Sequence, residues 1–394
     1  MKVYIADEKN INDIKEMWRY CFAESEAYNE YYFDRKLKPE YTVVCCDDEK
    51  AIASIQLNQY KIMLNEKEEN VSYVVGVSTM PEARGKGIMK KMMKFSLDEM
   101  YKRGQNVSLL MPIDFRLYRR YGYENCYDIL EHRIDMEELS GFRIEQNVRR
   151  LTVDDINELI KLYDSVNKMN NGYVIRDRFR FENMFAEAEA DGSYIYGIED
   201  KSGKLSGYMV YSMDSGTLFV RELYFTDIST LKTAIGFIYN HNTQCSKAVI
   251  MEDIRNCVGK VIRNPRKTET VQKQFMMGRV INFDGVLDSM VSECNSGVNA
   301  DDSIKVAIKD DYIESNNAVY DIRVSDDGIT YEKFEYNEEN SDVSMNINCI
   351  SQLVFSYIDI DEADFVYNLG ISDAKKEVLK RLFVRRRNHI NEYD

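Results

Sequence analysis

The chain has 394 residues, of which 44% are hydrophobic and 30% charged, a composition typical of folded proteins and more chain than one ordinary core holds. Its net charge of −15 argues against nucleic-acid partners and against anionic membrane surfaces. It contains no apolar run of about 18 residues, the length a membrane span needs, and it begins without the apolar stretch of a secretion signal. We therefore expect a cytoplasmic protein of two or three domains.

Cysteine and histidine spacing bears on metal binding. The eight cysteines include no C-x-x-C pair, and His132, His241 and His389 stand far apart in the sequence. Metal sites built from these residue types use clustered ligands at short spacing. We therefore expect reduced thiols and no metal.

The first stretch, residues 1–146, alternates predicted strands and helices. It begins with a strand at Lys2–Ile5 and a helix after Asp7, whose apolar face carries Trp18 as a core residue. A second helix is expected at about 88–101 and a buried strand at 107–111. Further strands are expected at 41–46, 52–57, 60–64 and 72–79. This order predicts an α/β sandwich.

The second stretch, residues 147–288, repeats the same plan, which indicates a divergent internal duplication. A strand at 148–151 precedes a helix that opens at Thr152, strands follow at 193–198, 207–212 and 218–225, and a helix is expected at 229–239. Where the first stretch has Arg84-Gly85-Lys86-Gly87, this one has Thr226-Asp227-Ile228-Ser229, without glycine. We therefore predict that the second copy binds no cofactor.

The third stretch, residues 289–394, differs in texture. Strands are expected at 304–309, 318–324 and 343–347, helices at 350–357 and 373–383, and a loop at 296–300. No low-complexity linker separates the stretches, so we expect packed domains rather than tethered ones.

The segment from Val75 to Met89 carries the clearest chemical signal. A buried strand enters a turn at Pro81, and Arg84-Gly85-Lys86-Gly87 leads into a helix. The first amides of a helix have no internal acceptor, the helix dipole adds about half a positive charge there, and glycines let a phosphate approach. The alternative is a solvent-exposed basic turn, but its place between strand and helix favours a pyrophosphate site.

These residues resemble a known signature. Arg84-x-x-Gly87 after Val77-x-Thr79-x-Pro81 resembles the acetyl-CoA signature of GNAT N-acetyltransferases, although Met89 stands where that signature has a third small residue. The resemblance implies acetyl-CoA as co-substrate. It implies that the cofactor contacts are Val77, Ser78, Thr79, Arg84, Gly85, Lys86, Gly87, Ile88 and Met89.

A second motif narrows the resemblance. Leu110-x-Pro112 followed by Tyr118-Arg119-Arg120-Tyr121-Gly122-Tyr123 resembles the enhanced intracellular survival (Eis-like) acetyltransferases, and the likeness covers essentially the whole chain. It implies an α/β (α+β) fold of three domains: a catalytic GNAT domain at 1–146, a cofactor-free GNAT-like domain at 147–288, and a sterol-carrier-protein-like domain at 289–394. It also implies a small-molecule or peptide amine as acceptor, namely a primary amine of an aminoglycoside, a polyamine or a lysine-like group, and a homo-oligomer, a trimer or hexamer.

Catalytic roles follow only from this resemblance. Tyr123 would be the general acid that protonates the departing thiolate, the Asp394 α-carboxylate would be the base, and the Val77 N–H would polarise the thioester. The alternatives are a buried aromatic at Tyr123 and a frayed tail at Asp394. Tyr118 and Tyr121 are interpreted as packing residues.

The acceptor side is less specific. Glu24 and Glu26 follow the first helix, where GNAT folds build the acceptor loop, and they would attract an ammonium group unless they form a solvated acidic loop. A covalent acyl-cysteine route through Cys126 is the competing mechanism. The competing functions are transfer of a different acyl group and non-catalytic CoA sensing.

Overall fold

A computed structural model of the chain describes residues 1–290, 303–325 and 328–393. The predicted loop at 296–300 and the predicted base Asp394 lie outside these ranges. The elements of the first unit are β1 (Lys2–Ile5), α1 (Ile11–Cys21), α2 (Glu26–Arg35), β2 (Thr42–Asp47), β3 (Lys50–Leu64), β4 (Lys67–Thr79), α3 (Ile88–Lys102), β5 (Val107–Leu110), α4 (Phe115–Arg119) and β6 (Glu124–Asp135).

The second unit and the third domain follow in chain order. The second unit contains β7 (Asn147–Arg150), α5 (Ile156–Asn167), β8 (Tyr173–Val174), α6 (Arg178–Asp191), β9 (Tyr194–Glu199), β10 (Leu205–Asp214), β11 (Thr217–Phe225), α7 (Ile228–Tyr239), β12 (Lys247–Glu252), α8 (Cys257–Val261) and β13 (Thr268–Val280). The third contains α9 (Phe283–Ser289), β14 (Ser303–Lys309), β15 (Ala318–Ser325), β16 (Gly328–Glu335), β17 (Val343–Asn346), α10 (Ile347–Val354), α11 (Ile360–Tyr367) and α12 (Asp373–Leu382).

The two units share one sheet by exchanging their last strands. The strand order is β1-β2-β3-β4-β5-β13-β6-β12-β11-β10-β9-β7, with β8 paired to β3 off this path. Strand β13 of the second unit lies antiparallel beside β5 of the first, and β6 of the first lies antiparallel beside β12 of the second. The sheet has the same strand order when it is followed inward from either end: β1-β2-β3-β4-β5 in the first unit corresponds to β7-β9-β10-β11-β12 in the second. The predicted tandem arrangement is therefore confirmed, although the exchange itself was not expected.

Apolar periodicity explains the elements that the sequence predicts well. The inner face of α1 buries Ile14, Met17 and Trp18, and every residue of β5 is buried. The predicted strands at 52–57 and 60–64 are in fact one continuous strand, β3. Helix α2 replaces the loop expected after α1, because the Ser25 side chain accepts the Tyr28 N–H and caps a helix that begins at Glu26.

A buried ion pair joins the third domain to the central sheet. Arg279 on β13 and Asp310 after β14 are both fully buried, with Nη2 and Oδ1 2.7 Å apart, and Arg279 Nε also donates to the carbonyl of Tyr121. A four-stranded sheet, β16-β15-β14-β17, forms the body of this domain. The three domains are thus packed together, as expected without linkers.

Across the described ranges, none of the helices is both long enough and apolar enough to cross a membrane.

Candidate active site

A cleft opens where two parallel strands of the first unit diverge. Strands β4 and β5 pair only over Ser72–Val74 with Ser108–Leu110, whereas β4 continues to Thr79. The pairing of β4 with β3 shifts register between Ser54 and Gln56, which leaves Gly76 and Val77 on a bulge where Gly76 has φ +59°. A bulge bends its strand and re-aims the residues after it. The end of β4 therefore forms one wall of a cavity.

The cavity has a volume of about 630 Å³. Of the residues predicted to contact the cofactor, Lys86 is not in its wall, and the other eight are. The lining comprises β4 and loop residues Val74, Val75, Gly76, Val77, Ser78, Thr79, Ala83, Arg84, Gly85, Gly87, Ile88 and Met89, and residues of the facing wall, Trp18, Cys21, Phe22, Glu24, Tyr28, Met111, Ile113, Leu117 and Tyr118.

The loop before α3 has room for a bound phosphate. Gly85 and Gly87 have φ of +76° and +71°, and a Cβ atom at either would meet nothing within 4 Å. No side chain caps α3, so its first-turn amides keep their donors for a ligand. Arg84 Nε donates to the Thr79 carbonyl, 3.1 Å away, which holds the loop against the end of β4. These residues fit the pyrophosphate of a nucleotide cofactor.

The facing wall is aromatic, and two buried hydrogen-bond donors, Trp18 Nε1 in the wall and Gln56 Nε2 behind it, are unused by the described residues. The Trp18 ring stacks on the Tyr32 ring with centroids 4.1 Å apart. The Phe22 ring also contacts Trp18, in a tilted arrangement with centroids 4.6 Å apart. Within the described part of the chain, neither the buried Trp18 Nε1 nor the buried Gln56 Nε2 has a hydrogen-bond partner. Gln56 Oε1 accepts the Tyr32 hydroxyl at 2.7 Å. Trp18 was predicted as a core residue, and it is both buried and part of the cavity wall.

The two tyrosines of the second motif have different surroundings. Tyr123 is fully buried away from the cavity wall, and its hydroxyl lies 2.8 Å from the Ser108 hydroxyl. Tyr118, at the end of α4, lines the cavity. Burial raises the pKa of each phenol to about 12, and for Tyr123 the Ser108 hydrogen bond partly opposes that rise in pKa. Sequence reasoning assigned Tyr118 to packing and missed its place in the wall.

Cys126 is poorly placed for the competing acyl-cysteine route. Its side chain is fully buried outside the cavity wall, and burial raises the pKa of its thiol well above the ordinary value. A thiol must ionise to attack a thioester. The geometry therefore favours direct transfer over a cysteine intermediate.

Of the two carboxylates predicted to bind the acceptor, only one lines the cavity. Glu24 lines the cavity, whereas Glu26 begins α2 and pairs with Arg19, with Oε1 and Nη2 2.6 Å apart. Hydrogen bonding from Arg19 lowers the pKa of the Glu26 carboxyl. Glu26 is therefore already partnered on the protein surface.

The segment before Asp394 approaches the first unit. The Tyr73 hydroxyl on β4 donates to the Glu392 carbonyl at 3.4 Å, and the Tyr393 ring packs on Phe275 with centroids 5.0 Å apart. Arg176 Nε donates to Glu392 Oε1 at 2.7 Å. The expected alternative of a frayed tail does not apply to residues 388–393, which are tied down up to the last described residue. No sequence signal pointed to a link between Arg176 and this segment, because Asn391 and Glu392 are more than 200 residues away from it.

Comparison with known proteins gives the same domain order. Residues 2–126 match a family model described as an acetyltransferase (GNAT) domain, residues 172–280 match a second model of that description, and residues 287–391 match a sterol carrier protein domain. No curated protein matches the chain in sequence. The order predicted from the motifs is confirmed, whereas the boundaries at 146 and 288 stay predictions.

Solved structures share the fold over the whole chain. A probable N-acyltransferase from Enterococcus faecalis is 18% identical with a TM-score of 0.85, covering 100% of this chain and 99% of that one. A GCN5-related N-acetyltransferase from Anabaena variabilis is 18% identical with a TM-score of 0.85 over 100% of both chains. Eis1 from Mycobacterium abscessus is 12% identical with a TM-score of 0.74 over 100% of both.

Proposed function

We propose that this chain, which belongs to the GNAT acetyltransferases and carries two such domains followed by a sterol carrier protein domain, moves an acetyl group from acetyl-CoA to a primary amine. The reaction is direct transfer within a ternary complex. The observation that carries the proposal is that the end of β4, the glycine loop before α3 and Tyr118 all line one cavity.

The glycine loop is the proposed cofactor site. The α3 first-turn amides and Arg84 hold the pyrophosphate, with Lys86 as a cation at the rim of the site. When bound, acetyl-CoA supplies the activated acetyl group as a thioester. The Val77 N–H, on the edge of β4 beyond its pairing with β5, donates to the thioester carbonyl as negative charge develops there.

Tyr118 is the better-supported proton donor. A donor must reach the departing sulfur, and the Tyr118 side chain lines the cavity whereas Tyr123 is buried and bonded to Ser108. A phenol with a pKa of about 12 is protonated at neutral pH, so it can give its proton to a thiolate. We therefore assign to Tyr118 the role that the resemblance gives to Tyr123.

We keep Asp394 as the proposed base. The path of the described residues before it supports this role. The Glu392 carbonyl contacts Tyr73 on β4, the strand that supplies Val77, and Asp394 follows Glu392 by two residues in the sequence. Removal of the ammonium proton by the Asp394 α-carboxylate, directly or through water, would free the amine for attack.

The wall opposite the glycine loop indicates the kind of amine. Trp18, Phe22 and Tyr28 give it an aromatic surface, and Glu24 is its one carboxylate among the described residues. Aromatic faces and a single acid suit an acceptor with one ammonium group on an apolar body better than a densely cationic one. We propose an arylalkylamine-like or lysine-like acceptor in preference to an aminoglycoside or polyamine.

Two measurements test this function. Trp18 is the only tryptophan of the chain and lines the cavity, so its emission reports binding of acetyl-CoA directly. Release of free thiol is then followed with arylalkylamines, lysine peptides, polyamines and aminoglycosides. Amine-dependent release establishes the enzyme. Binding of acetyl-CoA without release for any amine would favour a different acyl donor or a CoA sensor, and absence of binding would refute the proposal.

The acceptor assignment has its own matched control. Glu24→Gln removes the cavity carboxylate and should raise KM for a cationic acceptor by about tenfold, the effect of one lost charge-assisted contact. Glu26→Gln, two residues away and outside the cavity, should not change it. Equal KM values for the two variants would remove Glu24 from the acceptor site.

A further inference from the structure

The second unit repeats the geometry of the cofactor cleft. Strands β11 and β12 pair in parallel only over Thr217–Val220 with Lys247–Ile250, as β4 and β5 do over a short stretch. The pairing of β11 with β10 shifts register between Val210 and Tyr211, which leaves Arg221 on a bulge just past the last parallel pair. The first unit has its bulge at the corresponding place, at Gly76 and Val77. The second unit therefore has its own divergent strand pair.

In this second cleft, the N-terminal amides of α7 that would face a pyrophosphate are already hydrogen-bonded within the protein. Asp227 caps α7, and its Oδ1 accepts the N–H groups of Ser229 and Thr230 at 2.8 and 2.9 Å. A carboxylate in this position accepts hydrogen bonds from the helix amides that a phosphate would need, and its negative charge repels a phosphate. The corresponding end of α3 has no side-chain cap. The second cleft thus lacks the anion site of the first.

The space between the divergent strands holds a segment of the same chain. We call residues 388–393 the tail segment. The Asn391 side-chain amide donates to the Arg221 carbonyl at 3.0 Å, on the bulge itself, and His389 Nε2 lies 3.1 Å from the Tyr224 hydroxyl. His389 and Asn391 line a small pocket together with the ends of the two strands, Leu223–Phe225 and Met251–Asp253.

Arg176 fastens the tail segment as it leaves this cleft. Its Nη2 donates to the Asn391 carbonyl at 2.9 Å and its Nε to Glu392 Oε1 at 2.7 Å. Glu222, the residue after the bulge, pairs with the same guanidinium at 2.8 Å. Arg176 and Glu222 are each 5% exposed. A buried guanidinium is tolerated when carboxylates pair with it, and Glu392 of the tail segment is one of the two that do.

We propose that the cleft of the second unit is a binding site for the tail segment of this same chain, occupied by peptide where the first unit takes its cofactor. The Asn391 side chain is recognised by its hydrogen bond to the Arg221 carbonyl at the β11 bulge, and the Glu392 carboxylate by its ion pair with Arg176. From there the tail segment runs to Tyr73 on β4 of the first unit. The second unit thereby holds the tail segment against β4, the strand that forms one wall of the first cleft. This proposal concerns peptide binding and stands independently of acetyl transfer.

Hydrogen exchange followed by mass spectrometry tests the proposal on the full chain. The double variant Asn391→Ala/Glu392→Ala removes the side-chain contacts to Arg221 and Arg176. The matched control, Glu269→Ala/Gln272→Ala, removes an exposed carboxylate and amide of β13 that contact Arg133 and Asp128. We expect amides 388–393 to exchange at least about tenfold faster in the first variant and at the wild-type rate in the control.

Three results would overturn the proposal. The first is exchange of amides 388–393 in the wild type at the rate of an exposed loop, and the second is unchanged exchange in the double variant. The third is a calorimetric stoichiometry of two acetyl-CoA molecules per chain, because a tail segment in the second cleft leaves one site. The exchange readout needs neither ligand nor activity, so its outcome is separate from that of the proposed function.

Discussion

The indole ring of Trp18 lies directly against Gly76, so that a Cβ atom at Gly76 would stand 2.7 Å from Trp18 Cζ3 and 2.9 Å from Gln56 Nε2. Gly76 also has φ +59°, a conformation that costs other residues about 1–2 kcal/mol. The bulge of β4 and the aromatic wall of the cavity are therefore fitted to each other.

Gly76→Ala should displace Trp18 and lower kcat/KM for the amine by about tenfold or more, since the wall that receives the acceptor moves. Trp18 emission and thiol release measure the two effects. Gly197→Ala is the control: its Cβ would lie 2.6 Å from Leu151 Cδ2, in β9 of the second unit, so it strains packing away from the cavity. Unchanged emission and kinetics in Gly76→Ala would contradict the predicted fit.

A second prediction concerns the cofactor loop. Gly87→Ala should raise KM for acetyl-CoA by about tenfold, because a Cβ atom would enter the space proposed for the pyrophosphate and the amides would shift. Gly192 provides a matched control, with φ +74° and, like Gly87, nothing within 4 Å of its Cβ position. Gly192→Ala should lose the same stability, about 1 kcal/mol, and keep KM. The same KM for both variants would argue against the loop as the cofactor site.

The sequence predicts the elements whose apolar spacing and ends are set locally, and it does not predict the features that depend on contacts between distant residues. Strand β1, helix α3 and strand β5 are predicted within about two residues, since their apolar spacing and their ends are set by neighbouring residues. Helix α6 went unpredicted, because alternating alanine and glutamate gives it little apolar periodicity. The exchange of β6 and β13 is invisible locally, as strand partners are chosen by contacts between distant residues.

The candidate site shows the same contrast between features set by contiguous residues and features set by distant packing. The glycine loop was predicted because its chemistry is contiguous, from Arg84 to Met89. Tyr118 and Tyr123 are alike in sequence, and only the way α4 ends decides which side chain faces the cavity. Arg176 and Glu392 meet across 216 residues, so their pairing depends on the packing of whole domains.

The two tyrosines can be told apart by matched substitutions. Tyr118→Phe should lower kcat by about a hundredfold, the contribution of a positioned general acid, with little change in KM for acetyl-CoA. Tyr123→Phe removes the hydrogen bond to Ser108 and should cost about 1 kcal/mol of stability while kcat stays near wild type. Thiol release and thermal unfolding measure both. A large loss of kcat in Tyr123→Phe alone would return the proton-donor role to Tyr123.

The last prediction uses the buried imidazole of the tail segment. The pKa of His389 is lowered from 6.5 to about 4, mainly by burial; Asp253 opposes this shift, and Arg255, Arg176 and Arg387 add to it. Tyr224 occupies its Nε2. Because the folded-state pKa is depressed, neutral His389 is compatible with the fold above pH 6.5, and stability is lost as the pH falls from 6.5 towards 4.

The free energy of unfolding should therefore fall by about 3 kcal/mol more in wild type than in His389→Gln between pH 7 and pH 4. This is most of the roughly 3.4 kcal/mol that a pKa lowered from 6.5 to about 4 represents at 1.36 kcal/mol per pH unit. Urea unfolding at a series of pH values measures it. His241→Gln is the control and should keep the wild-type slope, because His241 lies on Tyr211 and Phe237 away from the tail segment. Parallel pH profiles for wild type and His389→Gln would contradict the prediction, because they would mean that the folded chain accommodates a charged imidazole at His389 without loss of stability.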